Sequence, residues 1–261
     1  MSASRPHAVA SASPRLMRRM IGIVGAGNMA GALARGWGEP VLATDAGSGR
    51  AQALVDEIGG ESLGTDNAEL FRRADTILLG HKPYQLEQVA AGVDATGKTV
   101  ISVLGATTVA QLQRAYPNAR VVRAMPNTPV AIRRGVTCIA EGGEDAVPLF
   151  ERVGRVFVLP EEQMEVATAT MGVTPAYVAV IAEASIDAAV RSGLKAPLAT
   201  EMFLAALAGS AELLQARDGD TLAVRREVTS PGGSTARGLA ALDRHGLRTA
   251  FDEAMRAVMQ R

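Results

Sequence analysis

The sequence predicts an α/β chain: an N-terminal doubly wound parallel sheet followed by an all-α domain. Three observations carry this. Short apolar runs alternate with helix-like segments through the first half, a glycine-rich turn separates the first run from the first helix, and strand signals stop after about residue 160. Strand–helix alternation implies a parallel sheet with helices on both faces.

The first run is Met20-Ile21-Gly22-Ile23-Val24, short and apolar as a buried parallel strand should be. It leads into Gly25-Ala26-Gly27-Asn28-Met29-Ala30, a G-x-G-x-x-A turn placed between a strand and a helical pattern. In that context each residue type has a task. Gly25 permits the tight turn, Gly27 lets the backbone approach a pyrophosphate, and Ala30 keeps helix and strand close. The helix N-terminus then faces the phosphates. The first domain is therefore a Rossmann-type, dinucleotide-binding unit, expected over residues 20–160.

Val41-Leu42-Ala43-Thr44 reads as the second strand and 50–58 as a helix. The end of this strand selects the nicotinamide cofactor: an acid binds the ribose 2′-hydroxyl of NAD, and Arg or Ser suits the 2′-phosphate of NADP. Asp45 favours NAD, whereas Ser48 and Arg50 can hold a phosphate if Asp45 turns away. Asp45 also fits an ordinary turn start, because Asp-Ala-Gly is good turn chemistry. NAD and NADP both remain open at this point.

Further strands are expected at Thr76–Leu79, Thr99–Val103 and Arg120–Arg123, with helix-like segments at 84–92 and 108–115. Ligands bind beyond the carboxyl ends of such strands. Three loops fall there: His81-Lys82-Pro83, Leu104-Gly105-Ala106-Thr107-Thr108, and Ala124-Met125-Pro126-Asn127-Thr128-Pro129. Prolines on both sides of Asn127 restrict the backbone, so its amide can be held against a ligand or can cap the loop itself. Lys82 reads either as a cofactor contact or as a solvated surface lysine, and a lone histidine such as His81 is more often structural.

The second domain is expected over residues 161–261. Thr174-Pro175 has the form of an N-cap followed by proline at the first helical position. Residues 175–192 are almost all apolar or small, ending at Gly193, and a helix apolar all round must be buried all round. A small domain rarely manages that alone, so a partner chain is implied. Glu183 and Asp187 read as two exposed acids rather than a paired-carboxylate site. Another helix is expected from Pro197 to about Gln215, and Asp218-Gly219-Asp220 is a turn. Pro231-Gly232-Gly233 breaks the following helix, and Ser234 or Thr235 is placed to N-cap the next, which runs to about Arg244. A Gly-Gly turn entering a helix presents several N–H groups in one direction, a nest for a carboxylate.

Composition limits the alternatives. Lys+Arg and Asp+Glu are 27 each, so net charge gives no case for nucleic acid or an anionic membrane. No apolar run reaches the about 18 residues needed to span a bilayer. The single cysteine, Cys138, excludes an internal disulfide and a cysteine-built metal site, and a reducing, cytoplasmic setting is the default. No metal is expected. Residues 1–19 hold four arginines and no acid, a composition shared with organelle transit peptides; they read as a disordered tail or over-extended start, with Met20 opening the fold.

Taken together, four segments resemble the pyrroline-5-carboxylate reductase family over nearly the whole chain from Met20. They are the turn at 25–30, Asp66-Asn67-Ala68-Glu69 with the later Lys82-Pro83, Arg123-Ala124-Met125-Pro126-Asn127-Thr128-Pro129, and the most specific, Val228-Thr229-Ser230-Pro231-Gly232-Gly233-Ser234-Thr235. The resemblance implies hydride transfer from NADPH or NADH to the C=N bond of a cyclic imine, giving L-proline. It implies cofactor contacts at Gly25, Gly27, Asn28, Met29, Asn67, His81, Lys82, Pro83 and Asn127. Substrate contacts are implied at Gly232, Gly233, Ser234 and Thr235, with the Thr235 hydroxyl facing the imine nitrogen as the catalytic group. It further implies a homodimer, often assembled further, whose all-α dimerisation domains interlock so that this loop lies over the partner's nicotinamide.

The sequence departs from the family pattern at Gly172-Val173-Thr174, at Gly80-His81-Lys82-Pro83-Tyr84 and at 104–108. These departures leave room for a related reductase of another imine or carbonyl. The intact Pro231–Thr235 loop argues against a third reading, a regulatory cofactor-binding protein without turnover.

Overall fold

A computed structural model describes residues 20–260, so the tail expected over 1–19 lies outside the described residues. The chain divides into two compact units, the first ending at Gly172 and the second beginning at Val173.

The first unit holds an eight-stranded sheet: β1 Ile21–Val24, β2 Val41–Thr44, β3 Gly60–Ser62, β4 Thr76–Leu79, β5 Thr99–Ser102, β6 Arg120–Pro126, β7 Gly135–Ala140 and β8 Gly154–Leu159, in the order β3-β2-β1-β4-β5-β6-β7-β8. Between them lie α1 Asn28–Trp37, α2 Arg50–Ile58, α3 Asn67–Arg73, α4 Leu86–Ala91, α5 Val109–Ala115 and α6 Val147–Glu151, and α7 Met164–Met171 follows β8. The first six strands are mutually parallel; β7 runs antiparallel to β6, and β8 parallel to β7.

Side-chain alternation on the strands explains the two-sided core. Ile21 and Ile23 of β1 pack with Leu33, Trp37 and Phe150 on one face. Val24, Leu42, Ile77 and Leu79 pack with Leu70, Phe71 and Leu112 on the other. A Cβ on Gly22 would stand 2.5 Å from a Leu70 methyl, so the first strand needs glycine there for α3 to approach. The register pairs Val24 with both Thr44 and Leu79, which brings the residues just beyond three strand ends, Gly25, Asp45 and Gly80, to one level. The strand order reverses between β1 and β4, the switch point at which open α/β sheets bind ligands.

Several local expectations are corrected. β6 continues through Ala124-Met125-Pro126, which pair with β7, so the loop after it begins only at Asn127. Segment 84–92 is a 3-10 turn, Pro83–Gln85, followed by α4. The short edge strand β3 is polar and largely exposed and has no periodicity to read.

The second unit is helical throughout: α8 Thr174–Arg191, α9 Ala196–Ala216, α10 Thr221–Glu227, α11 Ser234–Arg244 and α12 Leu247–Met259. The caps differ from the sequence expectation. Val173, not Thr174, is the N-cap of α8. Gly233 is the N-cap of α11, and neither the Ser234 nor the Thr235 hydroxyl caps it, because both residues already lie inside the helix. Asp220 does cap α10, accepting the Leu222 and Ala223 N–H groups.

Glu161–Arg191 and Ala196–Ala216 are long and apolar enough to cross a membrane by length and composition, with mean hydropathies of 1.4 and 1.2. The expectation that no segment reaches that threshold is therefore corrected: isolated charges such as Glu183 and Asp187 interrupt the apolar run without lowering the average enough. Within α8 and α9 only Ala182 and Ala199 are buried, and Val180, Ile181, Leu198, Met202 and Leu204 are exposed. Glu183 and Asp187 are exposed too; Asp187 faces Arg191 at 4.0 Å one helical turn on.

Candidate active site

At the end of β1 the chain turns through Gly25, whose φ of +90° is costly for a side-chain-bearing residue. Its N–H donates to Thr44 O at 2.9 Å, tying the turn to β2. A Cβ on Gly25 would lie 2.6 Å from the His81 backbone nitrogen, so the first loop and the loop after β4 touch backbone to backbone here. Gly27 differs. Its φ and ψ, −77° and −177°, suit any residue, and a Cβ would meet only Gly80 O at an ordinary 3.5 Å. Nothing among the described residues demands glycine at 27, and the space beside it is open.

α1 starts at Asn28 with Gly27 as N-cap, no capping side chain and no acid in its first turn. The first N–H groups of a helix have no internal acceptor. Here those of Asn28, Met29 and Ala30 form a ready anion site that the helix dipole reinforces. Two adjoining cavities of about 340 and 230 Å³ surround the turn, both bounded by Gly25, Asp45, Ala46, His81 and Gln85. The larger also contains Gly27, Asn28, Met29, Ser48, Arg50 and Lys82. The smaller contains Thr44, Thr65, Asn67 and Gln88. A dinucleotide fits these residues: a cradle that a Cβ would fill, a helix N-terminus without an acid, and Arg50 and Lys82 at its rim.

The individual side chains divide into free and committed groups. Thr44 Oγ1 donates to Asn67 Oδ1 at 2.7 Å, fixing the Asn67 amide at the start of α3, while Asp66 caps that helix through Glu69 N–H at 2.9 Å. His81 Nδ1 lies 2.8 Å from Lys82 O, so Nδ1 carries the proton that donates to this carbonyl. Burial pushes the His81 pKa down, against the smaller opposing pull of the Lys82 carbonyl, and the ring stays neutral near pH 7. Lys82 is exposed, and its N–H donates to Gln85 Oε1 at 3.0 Å across the turn that Pro83 begins.

Asp45 is fully engaged. Oδ1 accepts the Gly47 and Ser48 N–H groups at 2.7 and 3.0 Å; Oδ2 accepts the Ser48 hydroxyl at 3.0 Å and the Ala51 N–H at 2.8 Å. Partial burial pushes this carboxyl upward, but the Ala51 N–H, the Ser48 hydroxyl and the Gly47 and Ser48 N–H groups together outweigh it and hold the pKa below the usual value of 3.8.

Asn127 is also committed to the protein. Its Oδ1 accepts Val136 N–H at 2.8 Å and its Nδ2 donates to Met171 O at 3.1 Å, and it borders neither cavity. Its side chain is 7% exposed and locks the β6–β7 loop to the end of α7. Gln85 and Gln88, by contrast, bound the smaller cavity and were not singled out by sequence. The only available signal was their position just beyond Lys82-Pro83.

In the second unit, Gly232 takes the left-handed φ of +69° after Pro231, and Gly233 N–H closes the turn onto Ser230 O at 3.0 Å. α11 then begins, leaving the Ser234, Thr235 and Ala236 N–H groups without intrahelical acceptors and no acid in the first turn. The Gly233 N–H expected to face an anion is thus taken by the turn, and the N–H groups without intrahelical acceptors begin one residue along. Thr235 is half-buried, and Thr229 Oγ1 at the start of the loop is buried without a partner. Gly232–Thr235 therefore lie together at the start of α11 in the second unit, and Gly25–Met29, Asn67, His81 and Lys82 lie around the two cavities in the first.

Comparison with known proteins agrees with both halves. The family described as pyrroline-5-carboxylate reductase dimerisation matches residues 161–261, and the family described as NADP oxidoreductase, coenzyme F420-dependent, matches residues 20–105. A pyrroline-5-carboxylate reductase from Synechocystis is 34% identical over 260 residues, covering 94% of this chain and 97% of the relative. One from Thermus thermophilus is 35% identical over 251 residues, covering 92% and 94%. Among solved structures, Plasmodium falciparum pyrroline carboxylate reductase with NADP bound is similar at a TM-score of 0.83 and 26% identity, covering 92% of this chain and 95% of that one. The Coxiella burnetii pyrroline-5-carboxylate reductase gives 0.78 and 27%, covering 92% and 96%. With a relative this similar matched along almost its full length, a glycine turn open to a dinucleotide and a Ser-Pro-Gly-Gly loop leading into a helix, the chain belongs to the pyrroline-5-carboxylate reductase family.

Proposed function

We propose that the chain reduces the C=N bond of 1-pyrroline-5-carboxylate to L-proline with NADPH or NADH, the last step of proline biosynthesis. The observation that carries this reading is Gly27, the glycine that the protein's own packing does not require, set at the helix N-terminus on the switch point of the sheet. A dihydronicotinamide held there would supply a hydride for the imine carbon, with the electron pair of the C=N bond passing to the ring nitrogen of the protonated imine.

The chain's part is binding and orientation. Asn28, Met29 and Ala30 N–H groups hold the pyrophosphate, Lys82 adds charge, and Asn67, fixed by Thr44, borders the adenosine side. Arg50 is the group best placed for a 2′-phosphate, because the four hydrogen bonds on Asp45 occupy the about four acceptor positions of a carboxylate and leave none for a ribose 2′-hydroxyl. On this basis NADPH is the preferred cofactor. Ser234, Thr235 and Ala236 N–H groups receive the substrate carboxylate, and the Thr235 hydroxyl meets the imine nitrogen. A protonated imine is already a good hydride acceptor, so orientation rather than a strong general acid supplies the protein's share of the rate.

The domains follow the same reading: residues 20–160 bind the cofactor and 161–261 form the dimerisation and substrate domain. Two copies interlock through the exposed apolar faces of α8 and α9, which covers those faces with protein rather than lipid and sets the Gly232–Thr235 loop of one chain over the nicotinamide of the other. A reducing, cytoplasmic setting agrees with the free, buried Cys138.

The deciding experiment incubates purified protein with 1-pyrroline-5-carboxylate and either cofactor, following cofactor absorbance and the appearance of proline. Imine-dependent oxidation with stoichiometric proline is expected. Absence of turnover with both cofactors would refute the proposal.

A further inference from the structure

We propose that Arg237 is a positioning residue for the substrate carboxylate, a role that rests on the reductase reading above. Arg237 lies on the first turn of α11, and its Nη1 donates to Gly232 O at 2.6 Å. Its backbone N–H donates to Gly233 O at 3.2 Å, so one residue grips two successive carbonyls of the loop. No ion pair joins it to a carboxylate among the described residues, whereas Arg217 pairs with Glu227 at 2.8 Å.

The loop needs such a grip. Gly232 and Gly233 have the freest backbone of any residues, and Gly232 sits in the left-handed region. Unrestrained, this Gly-Gly segment would have to be ordered each time an anion bound, and that entropy would subtract from affinity. The Arg237 bond orders it beforehand and gives the Gly232 carbonyl a fixed donor. The guanidinium charge adds to the positive end of the helix, and no acid in the first turn offsets it. The charge acts on a carboxylate and not on the imine bond, because a substrate without an anion offers it nothing to attract.

That difference defines the test. Full-length wild type, Arg237→Ala and Arg237→Lys are assayed with saturating NADPH on two cyclic imines, 1-pyrroline-5-carboxylate and 1-pyrroline, which lacks the carboxylate. Arg237→Ala is expected to lower kcat/KM for the carboxylate substrate by about 3- to 10-fold, the range of one hydrogen bond, mainly through KM. For 1-pyrroline it should change less than about twofold. Arg237→Lys, which keeps a charged donor, should recover most of the loss. If both imines lose equally, or neither does, in a variant with unchanged melting, Arg237 does not position the carboxylate. Wild type that turns over neither imine would instead overturn the reductase reading and this role with it.

Discussion

The carboxylate of Asp45 accepts the backbone N–H of Ala51 at 2.8 Å, so the acid at the end of β2 holds the N-terminus of α2. Arg50, the residue before Ala51, has no ion pair among the described residues. Arg50→Ala should therefore raise KM for NADPH by about 10-fold or more, consistent with loss of a charge-assisted bond of about 1.5–3 kcal/mol, and leave KM for NADH nearly unchanged. Steady-state kinetics with both cofactors check this. Equal effects on both would place the 2′-phosphate elsewhere.

Asp45 also predicts an acid-side stability term. Its folded pKa is depressed, so its contribution is complete above the unfolded value near 3.8 and disappears as pH falls through the lower folded value. The stability difference between wild type and Asp45→Asn should be constant from pH 5 to 7, on the order of 1 kcal/mol for a lost helix-start bond, and should shrink below about pH 4. Urea unfolding across that range measures it.

Gly27→Val should fold normally and fail to bind cofactor. The backbone at 27 is extended, and the added Cβ meets nothing closer than 3.5 Å, so the fold accommodates valine. The branched side chain then fills the cradle that the pyrophosphate must enter. Titration of the variant with NADPH, beside a thermal melt, tests both halves of the statement. Wild-type affinity would show that the turn does not hold the cofactor.

Arg123 is 2% exposed, and its guanidinium bonds Glu161 at 3.1 Å and Glu165 at 2.5 Å. Glu161 also accepts Val109 N–H at 2.7 Å, so this arginine ties β6, the start of α5 and α7 together. Arg123→Ala should cost about 2–3 kcal/mol, below the about 3–5 of a fully buried pair because both glutamates are about one-third exposed. The midpoint of denaturant unfolding reports it. A shift of less than about 0.5 kcal/mol would mean the network holds nothing in place.

Thr235→Ala should weaken imine turnover and spare cofactor affinity. No helix cap is lost, because Gly233 is the N-cap and the Thr235 hydroxyl makes no capping bond. The melting temperature should therefore stay close to wild type while kcat and kcat/KM for the imine fall by about 3- to 10-fold, the range of one hydrogen bond formed in the transition state. Unchanged imine kinetics would leave the N–H groups of α11 as the substrate's only anchor in this loop.

The sequence by itself determined the fold class, the first turn and the switch from strands to helices. β1, β2, β4 and β5 are buried on both faces, so each reads as an apolar run, and each was found within one residue of its observed ends. The G-x-G-x-x-A turn was legible because its demand is local: a positive φ at Gly25 and an absent side chain at Gly27. Strands β3, β7 and β8 were not legible. β3 is three largely exposed residues held by β2, and β8 is an edge strand whose Arg155, Phe157 and Val158 are exposed. Asp45, which sequence left open between a ribose contact and a turn start, is engaged by its near neighbours Gly47, Ser48 and Ala51. Tertiary structure alone decided what Asn127 does: it carries a residue type suited to a cofactor, yet it is claimed by Val136 and Met171. A hydrogen-bonding group serves whichever partner the fold brings within about 3 Å, and a partner 44 residues away, as Met171 is from Asn127, leaves no mark in the local sequence.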